Sequence, residues 1–272
     1  MYPHINDLVR LLHERKISTF LVTNAQFPEA IVNLAPVTQL YVSVDAATRD
    51  TLRAIDRPLF ANFWERFLDA LDLLRARRQR TVFRLTLVKG ENMRELDEYA
   101  ALVARGAPDF IEVKGVTWCG ESPGSNLTMA NVPWHADVRA FCEALAARTG
   151  GAYGLAAEHA HSCCVLLAKQ EFRDPAAGAG WRTHIDFDAF FERFDAWAAH
   201  GTPFSSHDYS APTPAWAAYG AKEAGFDPEY TRHFRNRAVR STATPGGDGE
   251  AGEAGGEGGE EEPYVPSESG CG

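Results

Sequence analysis

The stretch Thr81–Val116, TVFRLTLVKGENMRELDEYAALVARGAPDFIEVKGV, changes its apolar period twice. TVFRLTLV (Thr81–Val88) alternates and is β-branched, which predicts a strand. Met93–Ala104 places apolar side chains at helical spacing, and FIEVKGV (Phe110–Val116) alternates again. Strand, helix, strand over this length is one βα unit of a parallel sheet with right-handed crossovers. Upstream, Ser18–Thr23 (STFLVT) and Gln39–Val44 (QLYVSV) read as two further strands. Between them and Thr81, Pro58 opens a helical pattern from Leu59 to about Arg78, carrying Phe60, Phe63, Trp64, Phe67, Leu68, Leu71 and Leu74. Ile5–Arg15 reads as an amphipathic helix with Ile5, Leu8, Val9, Leu11 and Leu12 on its apolar side. Downstream come a helix over His135–Arg148, a fifth strand over Ser162–Lys169, an apolar helix over Asp186–Ala199 and a short helix capped by Asp227. The fold class is α/β.

The chain has 272 residues and a formal charge of −10. Eight acidic and no basic residues lie from Ser241 onward, so the first 240 residues carry only −2, and the net charge does not exclude an RNA partner. That Gly/Glu tail has too few apolar side chains to offset the entropy of ordering, which predicts disorder over 241–272. No apolar run is long enough to cross a membrane, and the N-terminus lacks a secretory pattern. Five scattered cysteines without CxxC pairs favour a reducing, cytoplasmic compartment over a disulfide framework, and give weak support to metal ligation in this chain.

In parallel sheets the reactive groups gather beyond the carboxyl ends of the strands. Here those ends are Thr23–Asn24, Ser43–Asp45, Lys89 and Lys114–Cys119, all polar-rich. Asp45 is also a candidate N-cap for a helix over Ala46–Arg53. Alternation puts Arg84, Thr86 and Val88 on one face. Glu112 and Lys114 share a face too, where opposite charges form either a structural ion pair or a site. EHAHSC (Glu158–Cys163) reads as a polar entry to the strand that follows rather than a metal cluster. The chain opens on a helix with no strand to feed the sheet, which predicts that Met1 is not the natural start.

FLVTNAQFP (Phe20–Pro28), LYVSVDAATRDTLRAIDRPLFANFWERFLDAL (Leu40–Leu71), RLTLVKGEN (Arg84–Asn92) and PDFIEVKGVTWCGES (Pro108–Ser122) resemble the tRNA 4-demethylwyosine synthases, a radical S-adenosylmethionine family. LTMANVPWH (Leu127–His135), EHAHSCCVLLA (Glu158–Ala168) and TPAWAAYGAKEAGFDPEYTRHFRNRA (Thr213–Ala238) continue the likeness. The resemblance implies the last four strands and helices of a radical-SAM (βα)6 barrel over 1–150, a wyosine-specific segment over 151–240 and the acidic tail. It implies conversion of 1-methylguanosine-37 of tRNA-Phe and pyruvate to 4-demethylwyosine by a lyase. S-adenosyl-L-methionine and 4Fe-4S clusters would be its cofactors, with a flavodoxin-like electron donor. The family's CxxxCxxC loop and GEP-type motif are absent from this sequence, so the cluster ligands are expected upstream of Met1 and the chain alone is expected to be inactive. The rival readings are a radical-SAM enzyme with another substrate and a non-catalytic tRNA-binding module.

The resemblance assigns Thr23, Asn24, Ser43, Asp45 and Arg84 to the cofactor, with Asp45 on ribose hydroxyls and Arg84 on the methionine carboxylate. Lys114 and Glu112 are the candidate catalytic pair, Lys114 holding an anionic group of pyruvate or the cofactor. Arg232, Arg235 and Arg237 are expected on tRNA phosphates and Trp118 on an extruded base. Arg75, Arg77, Arg78 and Arg80 form a second basic group, read either as phosphate contacts or as a solvated helix end. No metal ligand is assigned.

Overall fold

A computed structural model describes residues 2–120, 127–176 and 179–229. Six strands form one sheet: β1 (Phe20–Thr23), β2 (Gln39–Ser43), β3 (Thr81–Leu87), β4 (Phe110–Gly115), β5 (Tyr153–His159) and β6 (Cys164–Lys169). Their order across the sheet is β1-β2-β3-β4-β6-β5. The first four run parallel, as the βα reading requires, and α1 (Ile5–Glu14), α2 (Pro28–Val32), α3 (Arg49–Asp56), α4 (Phe63–Leu74) and α5 (Leu96–Gly106) surround and connect them.

The expected fifth strand is present as β6 but runs antiparallel to β4, because β5 precedes it and a tight turn over Ala160–Ser162 makes the two a hairpin. The polar entry expected over Glu158–Cys163 is therefore the end of β5 and the hairpin turn. α6 (His135–Arg148) crosses from β4 to β5, so the sheet continues through residue 150 without a break. Beyond β6, a two-residue ladder of β7 (His184–Ile185) and β8 (Ser210–Ala211) flanks α7 (Phe187–His200).

The helix expected over Ala46–Arg53 is α3, and the one expected over Leu59–Arg78 is shorter at both ends, as α4. Thr48 caps α3 by accepting the Thr51 N–H at 3.3 Å, and Arg57 ends that helix in the left-handed region at φ 47°. Leu59 projects into solvent, 96% exposed, and α4 begins only at Phe63. Because Thr48 takes the cap, Asp45 is left free of that task.

Burial follows the pleat. Leu40, Val42, Phe83, Leu85, Leu87, Ile111, Val113, Val165 and Leu167 point to the helix layer and form the main core with Phe63, Phe67, Leu71 and Leu145. Helix and strand approach closely enough at Gly106 that a Cβ there would stand 2.5 Å from Phe83 Cζ. On the opposite face, the amino ends of the strands are closed by Phe110, Phe172, Trp181 and Val82. That leaves the carboxyl half of the same face to polar side chains.

Candidate active site

Along that face Tyr41, Ser43, Arg84, Thr86, Glu112, Lys114 and Cys164 are half-buried. Parallel register sets Ser43 beside Arg84, Arg84 beside Glu112, and Thr86 beside Lys114, while the antiparallel β6 sets Cys164 beside Lys114. Glu112 is the hub. It accepts from the Tyr41 hydroxyl at 3.1 Å, and its other oxygen lies 3.5 Å from Arg84 Nε. Burial and the neighbouring carboxylate push the Tyr41 hydroxyl well up, so it stays a donor. The structural pair on this face is Arg84–Glu112, across strands, and Lys114 makes no ion pair among the described residues.

Asp45, just past β2, is turned inward. Burial raises its carboxyl, while a hydrogen bond from Thr86 and the charges of Arg84 and Lys114 oppose that shift. A buried side chain not anticipated from sequence fixes this corner. Asn92, fully enclosed, donates to the carbonyls of Asp45 at 2.7 Å and Thr86 at 2.8 Å, and accepts from the Val88 N–H at 2.8 Å. The only sequence signal for it was its place in VKGEN, just beyond a strand.

The remaining candidates divide. Lys114, Thr117, Trp118, Met129 and Ser162 line a cavity of about 310 Å³ at the carboxyl end of β4, with Trp118 and Met129 36% and 50% exposed. Asn24 is exposed at the end of β1. Thr23 is in register with Val42, on the helix side of the sheet, and its hydroxyl accepts from the Ala25 N–H at 3.2 Å, so it serves the local turn. Arg232, Arg235 and Arg237 lie outside the described residues.

Two members of the first basic group are structural. Arg80 is buried at the amino end of β3, over the Phe110 ring at 3.9 Å, with its guanidinium on Gln39 and the Thr183 carbonyl. Arg77 donates to the carbonyls of Ile31, Leu34 and Ala35. Arg77 and Arg80 thus serve the fold, whereas Arg75 and Arg78 are exposed. Glu158 is buried too, accepting from His135 Nε2 at 2.8 Å and the Gly220 N–H at 2.7 Å, while His159 and His161 pack against Phe226. No group of three or more His, Cys, Asp or Glu among the described residues could hold a metal ion.

A polar strip on the carboxyl half of a mostly parallel sheet is the arrangement expected of a radical-SAM barrel. The family model for the radical SAM superfamily matches residues 1–103, and that for wyosine base formation matches residues 105–169. The S-adenosyl-L-methionine-dependent tRNA 4-demethylwyosine synthase of Oryza sativa subsp. japonica is 60% identical over 238 residues, 87% of this chain and 35% of the relative. The corresponding Homo sapiens protein is 56% identical over 243 residues, 89% of this chain and 33% of its own length. Over most of its length the chain is similar to the tRNA 4-demethylwyosine synthases.

It spans about a third of the length of these synthases. Two solved members share its fold. TYW1 with a lysine–pyruvate adduct bound superimposes with a TM-score of 0.57 at 27% identity, covering 62% of this chain and 53% of that one. Archaeal TYW1 gives 0.51 at 25% identity over the same shares. The expected α/β fold, a partial radical-SAM barrel, stands. The match to the wyosine base formation model begins at residue 105, at the end of α5, and ends at residue 169, the end of β6, so it takes in β4 with Glu112 and Lys114.

Proposed function

We propose that this chain forms the substrate-facing part of a radical-SAM lyase that converts 1-methylguanosine-37 of tRNA-Phe and pyruvate to 4-demethylwyosine in the cytoplasm. The observation that carries this reading is the strip of Tyr41, Arg84, Glu112, Thr86, Asp45 and Lys114 above a closed apolar floor. Its donor set suits S-adenosyl-L-methionine. Ser43 and the Asp45 carboxylate would accept from ribose hydroxyls, and Arg84, held flat by Glu112, would meet the methionine carboxylate. Asn24 would line the entrance; Thr23, bonded to Ala25, would act by shaping that turn. When bound, the cofactor supplies the radical chemistry. The described residues do not fit an iron–sulfur cluster, whose ligands would come from outside this chain.

Lys114 would hold the carboxylate of pyruvate by charge, with Glu112 orienting its surroundings through Tyr41 and Arg84; a solved relative bears a lysine–pyruvate adduct. An electron donor of flavodoxin type would serve the cluster. Trp118, at the rim of the Lys114 cavity, offers a stacking plane for an extruded base. Arg232, Arg235 and Arg237 would meet tRNA phosphates. We divide the chain into barrel strands over 1–150, a wyosine-specific segment over 151–240 and the acidic tail over 241–272.

A tRNA-Phe anticodon stem-loop carrying 1-methylguanosine tests this. Titrated by fluorescence anisotropy, it should bind the whole chain, and Trp118→Ala should weaken binding about tenfold. Replacing Arg235 and Arg237 by Ala should flatten the salt slope by about one for each phosphate that is no longer neutralised. Affinity no greater than for a duplex of the same length would sink the reading.

A further inference from the structure

Tyr41, in the middle of β2, shares the sheet face of Arg84, Glu112 and Lys114. Its ring is planted on the apolar floor that contains Val82, Phe110 and Phe172, and the Arg84 guanidinium lies 5.9 Å from its centre. From that fixed base the hydroxyl reaches past β3 to Glu112 of β4, where it donates to Oε2 at 3.1 Å. Among the described residues this is the only hydrogen bond to the Glu112 carboxylate. Arg84 Nε, 3.5 Å from Oε1, adds its charge without hydrogen-bond alignment.

Lys114 lies two positions along the same strand, so its side chain leaves the same face about 7 Å away. A four-carbon stem spans that gap, and Glu112 is the counter-ion that local sequence offers to the Lys114 ammonium. The pair does not form. Lys114 has no hydrogen bond or ion pair among the described residues and lines the 310 Å³ cavity instead. Two half-buried opposite charges on one face attract, so something must hold them apart. A phenol O–H on a carboxylate is a charge-assisted bond, stronger than its neutral counterpart, and this one starts two strands away on a ring that is packed in place. We propose that Tyr41 is a positioning residue: its hydroxyl holds the Glu112 carboxylate away from Lys114, which leaves the Lys114 amine open to a 2-oxo acid in the cavity.

This role rests on the function proposed above only for the identity of the ligand, pyruvate; the separation of Glu112 from Lys114 can be tested without it. The whole chain is treated with N-hydroxysulfosuccinimide acetate, and peptide mass spectrometry follows acetylation of Lys114 against the exposed Lys222. A lysine ion-paired to a carboxylate stays protonated and reacts slowly. Tyr41→Phe keeps the ring on its floor and removes only the hydroxyl, so Tm should hold while the Lys114 rate, relative to Lys222, falls about fivefold. In a Glu112→Gln chain, where no carboxylate can swing across, Tyr41→Phe should leave that rate unchanged. An unaltered Lys114 rate in Tyr41→Phe, or a fall of equal size in the Glu112→Gln background, would overturn the role. Pyruvate is then added to the unsubstituted chain, where it should protect Lys114 but not Lys222. The Tyr41 effect without protection by pyruvate would uphold this inference and reject pyruvate as the ligand. Protection without a Tyr41 effect would reject this inference and leave the proposed function standing.

Discussion

His13 has no exposed surface; its ring sits among Phe190, Phe191 and Phe194, with Nε2 2.8 Å from the Thr19 hydroxyl. Burial lowers its pKa from 6.5 to about 4, with the charge of Asp195 pulling the other way. Between those values the unfolded chain binds a proton that the folded chain refuses. The His13 contribution is thus complete above pH 6.5 and falls as pH drops toward 4, by up to about 3 kcal/mol. Asp109, which burial pushes up to about 6, opposes part of this below that pH. The test is a difference: urea denaturation at pH 7 and pH 5 should show a smaller acid loss for His13→Gln than for the unsubstituted chain. Equal losses would remove His13 from the balance. His13 lies one position beyond the apolar stripe read in the first helix, so its burial was not legible. Neither was the exposure of Leu8 and Leu11 on that stripe, because α7 meets the helix from another side.

At the scale of elements, β5 is the clearest case of structure made by pairing. YGLAAEH is rich in Ala and Gly, carries little β-propensity and shifts register between Leu155 and Ala157. Its ladder with β6 makes it a strand. The segment that follows β8 is pinned to this hairpin: the Ala160 N–H donates to the Ala224 carbonyl at 2.9 Å, and Gly225, at φ 92°, passes so close that a Cβ would stand 2.3 Å from the Glu158 carbonyl oxygen. Gly225→Ala should detach that segment, seen as faster proteolysis near Trp216 and a lower Tm; an unchanged cleavage rate would contradict the contact. At the other end of the sheet, β1 pairs with β2 alone among the described residues, and Phe20 and Val22 are 45% and 56% exposed. An open apolar edge favours self-association. Light scattering should fall with Val22→Lys while the thermal transition stays in place.

For the whole molecule, the decisive quantity is the set of thiols. Cys142 is buried with its thiol pushed well above its ordinary value, burial pushes Cys164 up to about 12, and Cys119 is exposed. A cluster takes three converging thiolates, and no such group exists among the described residues. After anaerobic treatment with iron and sulfide, the chain should therefore show no stoichiometric 4Fe-4S absorbance. A full cluster spectrum would show that ligands within the chain suffice.

Local sequence by itself determined the four parallel strands, their helices and the alternation that puts Arg84, Glu112 and Lys114 on one face, because period and side-chain direction are properties of neighbouring residues. It also placed Asp45 and Trp118 beyond strand ends. Only the tertiary structure decided that Glu112 pairs with Arg84 rather than Lys114, that Thr23 turns to the helix side, that Arg77 and Arg80 are buried among carbonyls, and that β6 runs against β4. Each of those outcomes depends on which distant segment comes to lie alongside, and contact between residues far apart in the chain is set by packing of the whole rather than by local pattern.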